Sequence, residues 1–215
     1  MSHWLSYLFP QKLAEFSTKH NQYIRVNDEF GQRKLLVNGS VQSGIYIRSL
    51  WKGAFKAFGI SKNRQCNNIL VLGVGGGTVI ELLHSQFPKA RITGVDIDPA
   101  IIDITKKYFL TGNIAYLEFI TADAKKYVQQ SKLKYDCIII DIFIGNAIPE
   151  FVKTTSFITL CKQRLSSNGA ICINYLQDRE YKEKSDELNK ALCSMFRAVQ
   201  DFHIANNRFF FASIV

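Results

Sequence analysis

The stretch Ile69-Leu-Val-Leu-Gly-Val-Gly-Gly-Gly-Thr78 limits what this chain can fold into more than any other. A short apolar run bounded by glycines suits a buried strand, and the glycines remove side chains where the backbone must turn. An amphipathic segment over 78–87 follows, and a second apolar run then ends in Gly94-Val-Asp-Ile-Asp-Pro99. Strand, glycine loop, helix and acid-capped strand make a βαβ unit. In such a unit the glycines let the main chain approach a ligand, and the acid accepts from ribose hydroxyls. The order predicts a nucleoside-bearing ligand in the first half of the chain.

The rest of the chain extends this unit. Strands are predicted at 69–73, 91–96, 116–121, 135–141 and 170–175, alternating with helices at 78–87, 99–109, 124–130, 150–164 and 180–196. Alternation of this kind argues an α/β fold, a parallel sheet with helices on both faces. Asp98 reads as the N-cap of the second helix with Pro99 at its first position, and Gly169 closes a turn before the last of these strands. The tail is different: Val199-Gln-Asp-Phe-His-Ile204 and Arg208-Phe-Phe-Phe-Ala-Ser-Ile-Val215 flank Ala205-Asn-Asn207, a hairpin signal. A mostly parallel seven-stranded sheet ending in a hairpin is similar to the Rossmann-like class I methyltransferase fold, and a nicotinamide-binding domain would not normally end so. Before residue 63, Tyr23-Ile-Arg-Val26 and Arg33-Lys-Leu-Leu-Val37 predict a second, N-terminal hairpin around a polar turn, with Asn38-Gly39 marking the next turn and a helix over 47–58. The expected division is 1–62, a short helix and small β domain, and 63–215, the main domain, with a polar linker over 63–68 between them.

Composition narrows the setting. With 215 residues, 47% of them hydrophobic, the chain can bury one substantial core. No apolar run approaches the roughly 20 residues that span a bilayer. The first ten residues lack the basic segment and the small-residue cleavage site of a signal peptide. Cys66, Cys137, Cys161, Cys172 and Cys193 form no CxxC pair and several sit in apolar runs. Reduced thiols in a cytoplasmic protein are therefore expected, and no metal site. Trp4, Leu5, Leu8 and Phe9 would make an apolar face of a short helix, packed on the body or on a second copy in a homodimer. The net charge is +9. Lysines are spread, and only Lys52, Lys56, Lys62 and Arg64, interleaved with Trp51, Phe55 and Phe58, suggest a nucleic-acid track. Such a charge would also repel a polycationic substrate at long range.

Candidate site residues follow from their positions. Gly73, Gly75 and Gly77 form the loop; Thr78 stands where a nicotinamide fingerprint has its last glycine. Asp96 ends the second strand and can accept both ribose hydroxyls, with Ile97 against the adenine face. Asp123, in Thr121-Ala-Asp-Ala124, can accept from an adenine amine or cap a helix, or do both. Asp141 closes Tyr135-Asp-Cys-Ile-Ile-Ile-Asp141 at the carboxyl end of a central strand, where open α/β sheets place ligands. An acid leaving an apolar strand is partly desolvated, which raises its pKa toward that of a useful proton acceptor; a structural, hydrogen-bonded acid is the alternative. The following Ile142-Phe-Ile-Gly-Asn-Ala-Ile-Pro149 suits a gate.

Gly73-Val-Gly-Gly-Gly-Thr78, Val95-Asp-Ile-Asp-Pro99, Ala122-Asp-Ala124, the run from Tyr135 to Pro149 and Leu165-Ser-Ser-Asn-Gly-Ala170 together resemble the spermidine synthase-like branch of the class I methyltransferase superfamily. Val37-Asn-Gly-Ser-Val-Gln42 resembles that family's small β domain, whose glutamine faces the active site. The resemblance implies that Gly73, Gly75, Gly77, Asp96, Ile97, Asp123 and Ala124 carry S-adenosylmethionine or its decarboxylated form, and that Asp141 and Gln42 face a small-molecule acceptor. It implies a transferase moving a methyl or aminopropyl group to a nucleophile. The family's aminopropyltransferases carry an aspartate in the glycine loop where Gly75 stands, and a second one where Ile144 stands. Most methyltransferases have an acid near the position of Val71. Two other readings stay open on the residues: a non-catalytic nucleoside- or partner-binding protein, and an RNA-directed methyltransferase.

Overall fold

Turn residues that tolerate positive φ set the register of the first sheet. In the computed structural model, which describes residues 6–60, 66–112, 114–178 and 180–215, Phe30 and Gly31 (φ 49° and 72°) join β2 (Ile24–Glu29) to β3 (Gln32–Val37) after β1 (Gln11–Phe16). Asn38 and Gly39 (φ 48° and 85°) join β3 to the short β4 (Ser40–Val41). Paired positive φ values are those of two-residue hairpin turns, whose twist matches the strands. The four strands pair antiparallel in the order β1-β2-β3-β4, so the expected hairpin is the middle of a larger sheet. Ile24, Val26, Leu35 and Val37 are its buried apolar positions, two apart along each strand.

Helix α1 (Ile45–Ala57) leads from this sheet to the second and packs on it directly. Trp51 meets Phe209 edge-on at 4.9 Å and Phe58 stacks on Phe211 at 5.6 Å. Trp51, Phe55 and Phe58 are thus core residues, whereas Lys52 and Lys56 are exposed. Lys62 and Arg64, like Trp4 and Leu5, lie outside the described residues. Leu8 and Phe9 follow a 3-10 turn and are exposed, not packed on the body.

From β5 (Asn68–Leu72) onward the chain alternates α2 (Thr78–Gln86), β6 (Arg91–Asp96), α3 (Pro99–Ile104), β7 (Leu117–Thr121), α4 (Ala124–Gln130), β8 (Tyr135–Ile140), α5 (Thr155–Gln163), β9 (Leu165–Leu176) and α6 (Tyr181–Met195). A hairpin of β10 (Ala198–Ile204) and β11 (Asn207–Ser213) ends it. The sheet order is β10-β11-β9-β8-β5-β6-β7, with the five strands β5 to β9 mutually parallel and the last hairpin antiparallel. Alternate residues of β5 explain its helices on both faces. Ile69 and Val71 pack toward α1, α2 and α3, whereas Leu70 and Leu72 pack toward α4, α5 and α6.

Three elements differ from the sequence reading. The helix expected over 99–109 is α-helical only to Ile104 and continues as a π-helix, Thr105–Phe109. There the Thr105 hydroxyl donates to the Gly75 carbonyl, and Arg33 donates to the Tyr108 carbonyl at 2.8 Å, so tertiary bonds pull the last turn open. The helix expected over 150–164 is a 3-10 turn, Glu150–Lys153, then α5, because Thr154 takes an extended conformation and caps the second piece. Strand β9 starts at Leu165, before the expected 170, through a bulge in which Tyr135 faces Leu165 and Cys137 faces Ala170.

Asp98 ties the two sheets together. Its Oδ1 caps α3 by accepting from the Ala100 amide at 3.1 Å, as the sequence predicts. Its Oδ2 accepts from the Thr18 hydroxyl at 2.6 Å and from Asn21 Nδ2 at 2.7 Å, which pins the β1–β2 loop. Asp98→Ala would strand the buried Asn21 amide and the half-buried Thr18 hydroxyl, and we expect a loss of about 3 kcal/mol in urea unfolding, since an unmet buried group costs about 1–3 kcal/mol. Alanine variants of Thr18 or Asn21 should each lose less.

Candidate active site

The glycine loop is held open by the strands on either side. Gly73 has φ 91°, and a Cβ there would lie 2.1 Å from the main-chain oxygen of Asp141. Gly77 (φ 74°) is the N-cap of α2, with Thr105 and Leu110 packed where a side chain would go. Gly73 and Gly75 line a cavity at the carboxyl ends of β5, β6 and β8; Gly77 stands behind it. Asp96 faces this cavity and already organises the loop: Oδ2 accepts from the Val74 amide and Oδ1 from the Asp98 amide, both at 3.0 Å. Burial raises its pKa, and the backbone donors work against that rise. Ile97 is exposed at the rim, and Asp123, Ala124 and Ile142 complete one wall. Asp123 also caps α4 by accepting from the Lys126 amide at 2.8 Å, so it serves as cap and cavity wall together.

The pinned β1–β2 loop contributes His20 and Asn21 to the same cavity. Gln42, following β4, forms the opposite wall; its Nε2 donates to the Gly145 carbonyl at 3.3 Å, and Ser40 bonds to Asn146. The small sheet thus holds the 142–149 loop across the cavity.

Asp141 stands where this cavity meets a second one. The second is lined by Tyr46, Trp51, Asn146, Asn174 and Asn207 and shares Gln42, Asp141 and Phe143 with the first. Both oxygens of Asp141 accept hydrogen bonds: Oδ1 from Asn174 Nδ2 at 2.9 Å, Oδ2 from Trp51 Nε1 at 3.1 Å. Burial pushes its pKa up to about 6, partly offset by these two donors. A carboxylate with that pKa, between two cavities, can take a proton from a group reacting across the junction.

Sequence reasoning missed His20, Asn21, Trp51, Asn174 and Asn207. Asn174 carried a usable signal, a lone polar residue in the apolar run Ala170-Ile-Cys-Ile-Asn-Tyr175. Trp51 did not, because its indole serves the core and the site at once. Among the described residues, no group of His, Cys, Asp and Glu is placed to hold a metal, and no helix is long and apolar enough to cross a membrane. No disulfide links the cysteines; four are buried and Cys193 is exposed.

A seven-stranded sheet with this order, and a glycine-loop cavity at its carboxyl edge, define a Rossmann-like fold of the class I methyltransferase type. Its similarities are narrower. Residues 53–208 match the Spermine/spermidine synthase domain, and the chain belongs to that family. It is 35% identical over 119 residues to the polyamine aminopropyltransferase of Vibrio vulnificus, covering 54% of this chain and 40% of the relative. It is 30% identical over 151 residues to a probable polyamine aminopropyl transferase of Bifidobacterium longum, covering 70% of this chain and 32% of the relative. The chain thus spans less than half the length of either relative. In fold it is similar to a probable spermidine synthase from Corynebacterium glutamicum, with a TM-score of 0.79 at 18% identity over 94% of this chain and 80% of the other.

Proposed function

We propose that this protein transfers an aminopropyl group from decarboxylated S-adenosylmethionine to an amine of a polyamine. The observation that carries the reading is Asp141 at the junction of two cavities, one of nucleoside-cradle composition and one lined by amides and aromatic rings. In-line attack forms a nitrogen–carbon bond as the carbon–sulfur bond breaks; the electron pair stays on sulfur, which leaves as a neutral thioether. The proton lost by the attacking amine goes to Asp141. Alignment supplies most of the rate, and the carboxylate adds general-base assistance.

Charge favours the decarboxylated donor. The first cavity is lined by Asp96, Asp123 and Asp141, with His20 and, among the described residues, no lysine or arginine. That wall suits a sulfonium and an ammonium and offers no cation to a carboxylate. It also bears on the position where the family's aminopropyltransferases carry an acid. At Gly75 (φ 50°) a Cβ would lie 3.2 Å from the Gln42 carbonyl oxygen. The main-chain carbonyl of Gln42, just after β4, therefore stands beside that position and can accept from the donor's ammonium.

Calorimetric titration tests this. We expect decarboxylated S-adenosylmethionine to bind at least tenfold tighter than S-adenosylmethionine, about 1.4 kcal/mol. Asp96→Ala should weaken the tighter ligand by about thirtyfold or more, the loss of charge-assisted bonds to the ribose. Equal or tighter binding of S-adenosylmethionine would overturn aminopropyl transfer and favour methyl transfer. Binding of neither ligand by folded protein would favour a non-catalytic role.

A further inference from the structure

One amide in the second cavity does not touch Asp141 but decides what Asp141 touches. Asn207, buried at the start of β11, donates from Nδ2 to Asn174 Oδ1 at 2.8 Å. Asn174, also buried, donates from its own Nδ2 to Asp141 Oδ1 at 2.9 Å. A side-chain amide has a donor end and an acceptor end, and rotating it by half a turn exchanges them. With its oxygen engaged by Asn207, Asn174 must present its NH2 to Asp141. Without that engagement, the rotated amide would set carbonyl oxygen against carboxylate oxygen.

We infer that Asn207 is a positioning residue for Asp141: by donating to Asn174 it fixes which end of that amide the carboxylate meets. The third member, Trp51 Nε1, can only donate, so no equivalent choice exists on the Oδ2 side. The last hairpin of the fold thus acts on the acid at the tip of β8 through one intervening amide. Two donors favour the ionised carboxylate against the burial that disfavours it. The other titratable groups that face Asp141 are His20, Asp96 and Asp123 across the first cavity, the Tyr46 hydroxyl in the second, and the buried thiol of Cys172 on β9. Burial holds the Cys172 thiol well above its ordinary range.

The inference rests on the proposed function only for its catalytic consequence, so the first test uses no substrate. The chain has two tryptophans, and the Trp51 indole N–H is bonded to Asp141, so its 1H–15N resonance reports ionisation of the acid. Titration of the wild type should give a midpoint near 6, and Asp141→Asn should abolish it. Asn207→Leu, which adds no charge, should raise the midpoint by about half a unit, a threefold change in proton affinity. Asn207→Ala, smaller and also uncharged, should raise it by a similar amount. A midpoint unmoved in Asn207→Leu, or in Asn207→Ala should the leucine variant not fold, would overturn the inference and leave Asn207 a packing residue. The pH profile of kcat/KM with decarboxylated S-adenosylmethionine and putrescine separates the two claims. If the indole midpoint moves and the rate profile does not, Asn207 still positions Asp141, and it is the base role of Asp141 that fails.

Discussion

Replacing Asp141 by Asn should lower kcat for aminopropyl transfer by about 10²–10⁴-fold while leaving donor affinity within a few-fold of wild type. The substitution keeps the shape of the side chain and removes the proton acceptor. It also sets an amide against two donors, Asn174 Nδ2 and Trp51 Nε1, of which only one can be satisfied without rearrangement. Stopped turnover with retained binding is the signature of a group acting on the reacting nitrogen. The wild-type pH profile should agree with it. Burial raises Asp141 to about 6, so the base form prevails above that pH and is lost as pH falls through it. Activity should therefore decline tenfold per unit below about 6, and that limb should be missing from any residual activity of the variant. A variant within threefold of the wild-type kcat would remove Asp141 from the chemistry.

Gly73→Ala should be the most damaging single-methyl change in the chain, with a stability loss of about 3 kcal/mol or more in chemical denaturation. The added Cβ would lie 2.1 Å from the Asp141 carbonyl oxygen and 2.8 Å from its carbon, both main-chain atoms. Neither strand can give way. The Gly73 amide donates to the Val95 carbonyl at 2.9 Å, and the Asp141 amide donates to the Leu72 carbonyl at 2.8 Å. The residue also sits at φ 91°, a conformation that costs a side-chain-bearing residue about 1–3 kcal/mol before any clash. Because the displaced atoms belong to Asp141, the folded fraction should also lose activity. Gly112→Ala is the control: nothing lies within 4 Å of its Cβ and its φ is not positive, so it should unfold within about 0.5 kcal/mol of wild type. Equal stability of the two variants would mean that the strand tips move apart freely and that the cradle is not rigid.

Much of this architecture was legible in the residues. The run Ile69-Leu-Val-Leu72 has to be buried on both faces, and the acids that end β6 and β8 fall where parallel sheets bind ligands. Elements were misread where a distant partner outweighed local preference. Thr105 continues a good helical pattern, yet its bond to Gly75 opens the last turn into a π-helix. Leu165 and the residues up to Gly169 look like a turn, yet pairing with Tyr135 draws them into β9. Asp98 was legible as a cap and not as a clamp, since Thr18 and Asn21 precede it by 80 and 77 residues.

Local pattern alone specifies the class of fold, the carboxyl ends of β6 and β8 and the acids that stand there. These follow from hydrophobic period, glycine placement and caps, all of which act over a few residues. Only the tertiary structure decided what each acid meets. Trp51 on α1, Asn174 on β9 and Asn207 on β11 converge on one carboxylate from elements far apart in the chain. Their hydrogen bonds depend on distances of about 3 Å and on which end of an amide faces which atom. No periodicity encodes such a meeting, because it exists only once the sheet, its helices and the last hairpin have packed.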